Sequence, residues 1–217
     1  MKILEIRALR GPNYYSRYPT IFMKLDIGEL EERPTDKVPG FRQNLEELIP
    51  SLIEHRCSLG YRGGFLERVD NGTYAGHVVE HLAIELQCLA RTEVGFGKTF
   101  DTNEKGIYHV VYRYRDEDMG IEAGKAAVRI VESLFNNEKV EIRPIVYGLK
   151  EIRERNLYGP STQAIVDEAK RRGIPVIRLN NESYVQLGYG VHQRRIQATM
   201  MDNTSAIGVE IADDKER

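Results

Sequence analysis

Two hydrophobic periods stand side by side in this chain. From Ile107 to Tyr114 the side chains alternate, Ile107, His109, Val111 and Arg113 on one side and Tyr108, Val110, Tyr112 and Tyr114 on the other, which is the period of a strand. From Met119 to Phe135 the apolar positions Ile121, Ala127, Val128, Val131 and Leu134 recur at helical spacing. A chain that changes period over so few residues must build layers of both kinds, so the expected fold class is α+β.

The flanking segments extend that pattern. Lys2 to Arg10 alternates imperfectly and stops at Gly11-Pro12, which predicts an opening strand and a turn; Ile21 to Ile27 predicts a second strand. Phe41 to about Cys57 has helical spacing interrupted by Pro50, so a helix with a kink or an early break is expected. Tyr61 to Val69 is a candidate short strand before the Asp70-Asn71-Gly72 turn, and a helix is expected from about Tyr74 to Ala90. Together these segments predict a compact mixed strand and helix unit reaching about residue 145. The rhythm changes near Pro144. A short helix over Leu149 to Arg155 is followed by a better one from Gly159-Pro160 to Arg172, short strands at Val176 to Leu179, Tyr184 to Tyr189 and Arg194 to Thr199, and a last helix from Ser205 to Ala212.

Composition excludes several classes. The chain has 217 residues, 41% of them hydrophobic and 29% charged, and its 31 basic and 33 acidic side chains leave a formal charge of -2. That balance provides no general attraction to nucleic acid or to an anionic bilayer. No run approaches the about 18 apolar residues of a membrane span, and the opening MKILEIRALRG, which turns from apolar alternation to charge within a few residues, is not expected to act as a signal peptide. A cytoplasmic location with no nucleic-acid or membrane partner is expected. Cys57 and Cys88 have no paired spacing and are expected to be free thiols.

The sharpest chemical signal is His77-Val78-Val79-Glu80-His81, an H-x-x-E-H arrangement. At about 100° per residue, His77 and His81 lie about 40° apart around a helix, with Glu80 beside them. Two imidazoles can ligate Zn²⁺ while Glu80 serves as general base, with one further oxygen or nitrogen ligand completing the set. Glu85, one turn beyond His81, is a candidate ligand or a group that steadies one. A polar helix face of ordinary hydrogen-bonding residues and a metal-free substrate-binding face are the competing interpretations. His109 is a candidate extra ligand or an ordinary sheet histidine, and His55 a solvated helix residue.

Gly95-Phe96-Gly97-Lys98-Thr99 ends like a phosphate loop, but G-x-x-x-x-G-K-S/T would require Gly where Thr92 stands. A flexible basic turn is expected there, with Lys98 available to a substrate carboxylate. Arg7 and Arg10 near Tyr14 and Tyr15 form a candidate polar and aromatic surface for an extended ligand. In Gly188-Tyr189-Gly190 the glycines allow a tight path, and Arg194 and Arg195 fall on opposite sides of the strand that follows, where one can bind phosphate or carboxylate.

Leu9-Arg10-Gly11-Pro12-Asn13, His77 to Ala83, Gly95 to Thr99 and above all QLGYGVHQRRIQAT over Gln186 to Thr199 strongly resemble the amino-terminal part of the cyanophycin synthetase family. The resemblance runs through essentially the whole chain. It implies a polymer-binding amino-terminal domain over residues 1–160 and the start of an incomplete ATP-grasp α/β segment over 161–217. It further implies an ATP- and Mg-dependent ligase that adds Asp to the backbone of cyanophycin and Arg to its side-chain carboxyls. In such enzymes ATP-grasp and Mur-ligase-like regions each activate a carboxylate as an acyl phosphate, and the whole is a homo-oligomer. Members resembling a metal hydrolase cut the polymer into primers, which makes His77, Glu80 and His81 the carried-over residues. A chain of this length is expected not to synthesise the polymer alone. Its activity is expected to be Zn-dependent cleavage or, alternatively, non-catalytic anchoring of cyanophycin.

Overall fold

The computed structural model describes residues 1–213, with side chains through residue 211. Contacts divide the chain into two compact units, Met1–Glu154 and a second beginning at Arg155.

In the first unit, β1 (Lys2–Leu9) and β2 (Thr20–Asp26) pair antiparallel, with a register shift between Ile3 and Glu5. A helix, α1 (Phe41–Leu48), ends where Pro50 pushes Ile49 out of helical geometry to φ -138°, and a 3-10 turn over Pro50–Glu54 follows. The single helix expected to about Cys57 is therefore a helix and a turn. Tyr61 to Val69 corrects a second expectation. It holds a helix, α2 (Gly64–Asp70), because Phe65, Leu66 and Val69 group on one side and all bury into the core. The central helix α3 (Ala75–Leu89) is next.

β3 (Gly97–Asp101) replaces the expected flexible turn, pairing with β4 (Ile107–Arg113) from Gly97 opposite Tyr112 to Asp101 opposite Tyr108. The sheet order is β1-β2-β4-β3, antiparallel throughout. α4 (Glu117–Phe135) starts where the Asp116 carboxylate accepts from the Met119 backbone N–H at 2.9 Å, with Glu117 and Asp118 suited to the positive end of the helix. α5 (Ile142–Arg155) starts earlier than expected, because Pro144 sits in its first turn, where no backbone N–H is required.

Ile21, Met23 and Leu25 on β2 and Val110 and Tyr112 on β4 form one wall of the core, facing α3 and α4. α3 is buried almost all round, so Glu80, His81 and Glu85 are carried into the interior along with Val78, Val79 and Leu82.

The second unit contains α6 (Pro160–Arg171), the antiparallel sheet β5 (Val176–Arg178), β6 (Tyr184–Leu187), β7 (Arg194–Gln197) and β8 (Met200–Met201) in sequential order, and α7 (Ala206–Asp213). All of its strand pairs are antiparallel, so the unit is α+β rather than a parallel α/β arrangement. Val166, Val185 and Ile196 form its small buried centre. Residues 214–217 of the expected second segment lie outside the described residues. Among the described residues no helix is long and apolar enough to cross a membrane.

Candidate metal centre

His77, Glu80 and His81 lie on α3 along the wall of an open cavity of about 1090 Å³ in the first unit. The helix brings the two imidazoles edge to face, with ring centres 4.8 Å apart. Phe65 on α2 lies beneath them, stacked on His81 at 4.0 Å and edge-on to His77 at 5.7 Å. The helical form of this segment, unforeseen in the sequence, therefore supplies the apolar floor of the site.

A third donor comes from outside the helix. Cys57 Sγ is 3.2 Å from His77 Nε2, and one ligand atom from each of Cys57, His77 and His81 lies within 4.8 Å of the others. Cys57 has φ +52°, a left-handed conformation unfavourable for a residue with a Cβ and one that tends to occur at functional positions. Two imidazoles and a thiolate are the donor types that suit Zn²⁺, and three protein donors leave one position of a tetrahedron for water or substrate. Ligands 2.0–2.3 Å from such an ion are roughly 3.3–3.8 Å apart; the Cys57–His77 pair, at 3.2 Å, is near that range, and all three donors lie within 4.8 Å of one another. These residues fit a zinc ion.

The protonation pattern is compatible with that role. Thr73 Oγ1 is 2.9 Å from His77 Nδ1, so a proton on Nδ1 can be donated there and leave Nε2 as the lone pair beside Cys57. Burial, helped by the charge of Arg68, lowers the pKa of His77 to about 4. Burial, with His77, His55 and Arg68 nearby, holds His81 well below the ordinary histidine range. Both rings are thus neutral, as ligands must be.

Glu80 has the opposite shift. Burial raises its pKa to about 7, partly offset by the hydrogen bond from Thr99 Oγ1 to Oε2 at 2.7 Å. Its other oxygen is 4.0 Å from His81 Nε2. Gly97 makes room for this carboxylate, since a Cβ there would lie 2.6 Å from Glu80 Oε1.

Glu85 is placed differently from the three close donors. Its carboxylate is engaged by Ser51 and by His55 Nε2, the latter at 2.8 Å, and His55 Nδ1 is 2.7 Å from His81 Nδ1. His55 is largely buried, contrary to the solvated residue expected, because the turn after Pro50 packs it against α3. His109 packs edge-on to Phe22 at 5.0 Å and does not line the cavity.

Lys98 lines the cavity, whereas Arg7 and Arg10 do not. Arg7 pairs with Glu5 at 2.9 Å and lies over the Phe22 ring, and Arg10 makes a two-pronged contact with Glu117 at 2.7 and 2.9 Å. Arg194 and Arg195 lie exposed on β7 of the second unit. Sequence reasoning missed Cys57, His55, Ser51, Thr73 and Thr99. The available signal was His55-Arg56-Cys57, two metal-binding residue types two apart, upstream of the H-x-x-E-H helix.

Residues 22–136 match the family described as the cyanophycin synthase-like N-terminal domain. The chain belongs to this family. All the residues around the site, from Ser51 to Thr99, fall inside the matched part of this cyanophycin synthase-like domain. Among curated relatives, proteins named cyanophycin synthetase from Synechocystis sp., Nostoc sp. and Crocosphaera subtropica are 50%, 49% and 48% identical to it. Each alignment covers all of this chain but only 24–25% of the relative, so the chain spans about a quarter of the length of the relatives it matches. The matched quarter is their amino-terminal one.

Proposed function

We propose that the first unit binds cyanophycin, the arginine-bearing polyaspartate implied by the family resemblance, and hydrolyses it to shorter primers. The observation that carries this reading is the convergence of Cys57, His77 and His81 beside a buried carboxylate, Glu80, at the wall of a large open cavity. Zn²⁺ held by those three donors would supply Lewis acidity and a water made more acidic. Glu80 accepts a proton from the water that attacks the amide carbonyl and returns it to the departing amine. A pKa near 7 suits both transfers at neutral pH. Thr99 holds one oxygen of Glu80 and leaves the other for the proton.

The cavity carries charges of both signs, with Glu31, Asp101 and Glu104 as well as Arg68, Lys98 and Lys105 in its lining. Such a lining suits a polymer whose side chains end in both a guanidinium and a carboxylate, with Lys98 taking a carboxylate. We assign residues 1–160 to polymer binding and 161–217 to the start of an ATP-grasp region, where Arg194 and Arg195 take carboxylate or phosphate. ATP, Mg, the Asp and Arg substrates, the Mur-ligase-like region and homo-oligomer formation belong, in this reading, to the longer enzymes that the chain resembles.

Metal analysis combined with a primer-release assay on cyanophycin tests the reading. Glu80→Gln should keep its zinc and lose roughly 10²–10⁴-fold in cleavage rate, whereas His77→Ala should lose the metal. Full-rate cleavage by metal-loaded Glu80→Gln would remove Glu80 from its role. Polymer binding without metal-dependent cleavage in the unaltered chain would leave anchoring as the function.

A further inference from the structure

The hydrogen bonds around Glu85 do not stop at that residue. Ser51 Oγ meets one carboxylate oxygen and His55 Nε2 the other, at 2.8 Å. His55 Nδ1 then meets His81 Nδ1 at 2.7 Å. This is not a nucleophilic triad, because the serine binds the carboxylate rather than an imidazole that could take its proton. The direction of the chain follows from the donors available. A carboxylate can only accept, so Ser51 and His55 Nε2–H donate to Glu85. With its Nε2–H given to Glu85, His55 has Nδ1 available to accept from His81 Nδ1–H across the 2.7 Å contact. That leaves His81 Nε2 as the lone-pair nitrogen of the ring.

We propose that Ser51, Glu85 and His55 form a positioning chain that fixes the tautomer and ring orientation of His81, presenting Nε2 as its donor to the metal centre. The inference rests on the metal-site reading for its purpose, but the tautomer itself is a property of the metal-free chain. Two features make the chain rigid. His55 and Glu85 side chains are only 13% and 9% exposed, and the Phe65 ring stacks on the face of His81 at 4.0 Å. Thr73 has the equivalent position at His77, so each imidazole has its Nδ1 engaged by a partner outside the three-donor group. Outer partners of this kind orient ligands and raise their basicity.

Nitrogen-15 NMR of the histidine rings in the metal-free 217-residue chain, at roughly pH 8, above the ordinary histidine range, reads the tautomers directly. The expected result is His81 protonated at Nδ1 with Nε2 bare, and His55 protonated at Nε2 with Nδ1 bare. His81 protonated at Nε2, as an imidazolium at His55 would require, overturns the proposal. Zinc affinity is the second measurement. His55→Ala should weaken it by about 10–100-fold. His55→Asn, whose Oδ1 can stand where Nδ1 stood and accept from His81, should restore most of the loss. An unchanged affinity in His55→Ala, or no recovery in a folded His55→Asn, also overturns the chain. Failure of the unaltered protein to bind zinc while His81 shows the expected tautomer would instead refute the metal-site reading and leave the positioning chain standing.

Discussion

Each residue at the candidate centre is set by what lies beside it rather than by its own chemistry. Glu80 and Glu85 are on the same helix, yet one faces a single hydroxyl inside the cavity wall and is pushed up to about 7, whereas the other is held between a serine and a histidine. The first is suited to moving a proton, the second to holding a ring in place. Gly97 is the position on which the first of these roles depends most closely. A methyl group there would sit 2.6 Å from Glu80 Oε1 and 2.8 Å from Ile84 Cδ1, so Gly97→Ala must displace the carboxylate. For the proposed hydrolytic role the expected outcome is a loss of cleavage at least tenfold greater than any loss of zinc affinity, since the three atoms nearest the added carbon belong to Glu80 and Ile84. Parallel zinc titration and primer-release measurements check this, and equal losses in both would reject a specific effect on Glu80.

At the scale of elements, the site is where a helix crosses a sheet at close range. α3 supplies the H-x-x-E-H face, β3 brings Thr99 against it, and the turn after α1 brings His55 and Cys57. α4 backs α3 and sets how close the sheet can come. Gly124 on that helix leaves room for Tyr112, whose hydroxyl donates to Gly120 O at 2.9 Å; a Cβ at Gly124 would lie 1.9 Å from that oxygen. Gly124→Ala should therefore destabilise the first unit by about 1–3 kcal/mol, despite the better helix propensity of alanine. Adding Tyr112→Phe should recover part of this loss, because it removes the clashing oxygen. Urea denaturation of the single and double variants tests the coupling, and strictly additive losses would exclude it. Where the sequence misled, the reason was local. Tyr61 to Val69 has aromatic and β-branched residues that suggest a strand, but its apolar side chains group at helical spacing and the core selects that face. Gly97–Asp101 looked like a loop because only five residues pair there, along one edge of β4.

For the whole molecule, the centre imposes a pH dependence on folding. His77 is lowered to about 4 from 6.5, so between those values the unfolded chain binds more protons, and stability present above pH 6.5 is lost as pH falls through that window. His81, lowered by burial first and by neighbouring charge second, acts in the same sense. Glu80, raised from 4.5 to about 7, acts oppositely: its contribution is complete below pH 4.5 and is lost as pH rises through 7. Two histidines against one carboxylate predict that the metal-free chain loses stability from about pH 6.5 to 4. Glu80→Gln should make that loss steeper by removing the opposing trend. Urea midpoints across the range, followed at first-unit amides, check both slopes; a shallower loss in Glu80→Gln would show the sign for Glu80 to be wrong. The sequence by itself determined the α+β class, the helix that carries His77, Glu80 and His81, and the family, because periodicity and short motifs are local and survive in one dimension. It also placed Glu85 one turn from His81, but the angle on a helix cannot distinguish a ligand from the support of a ligand. Only the tertiary structure brought Cys57 beside His77 and His81 and set His55 between Glu85 and His81. Those residues lie 20 and 26 positions from their partners, and what brings them together is the break at Pro50 and the burial of α2 and α3 against one core.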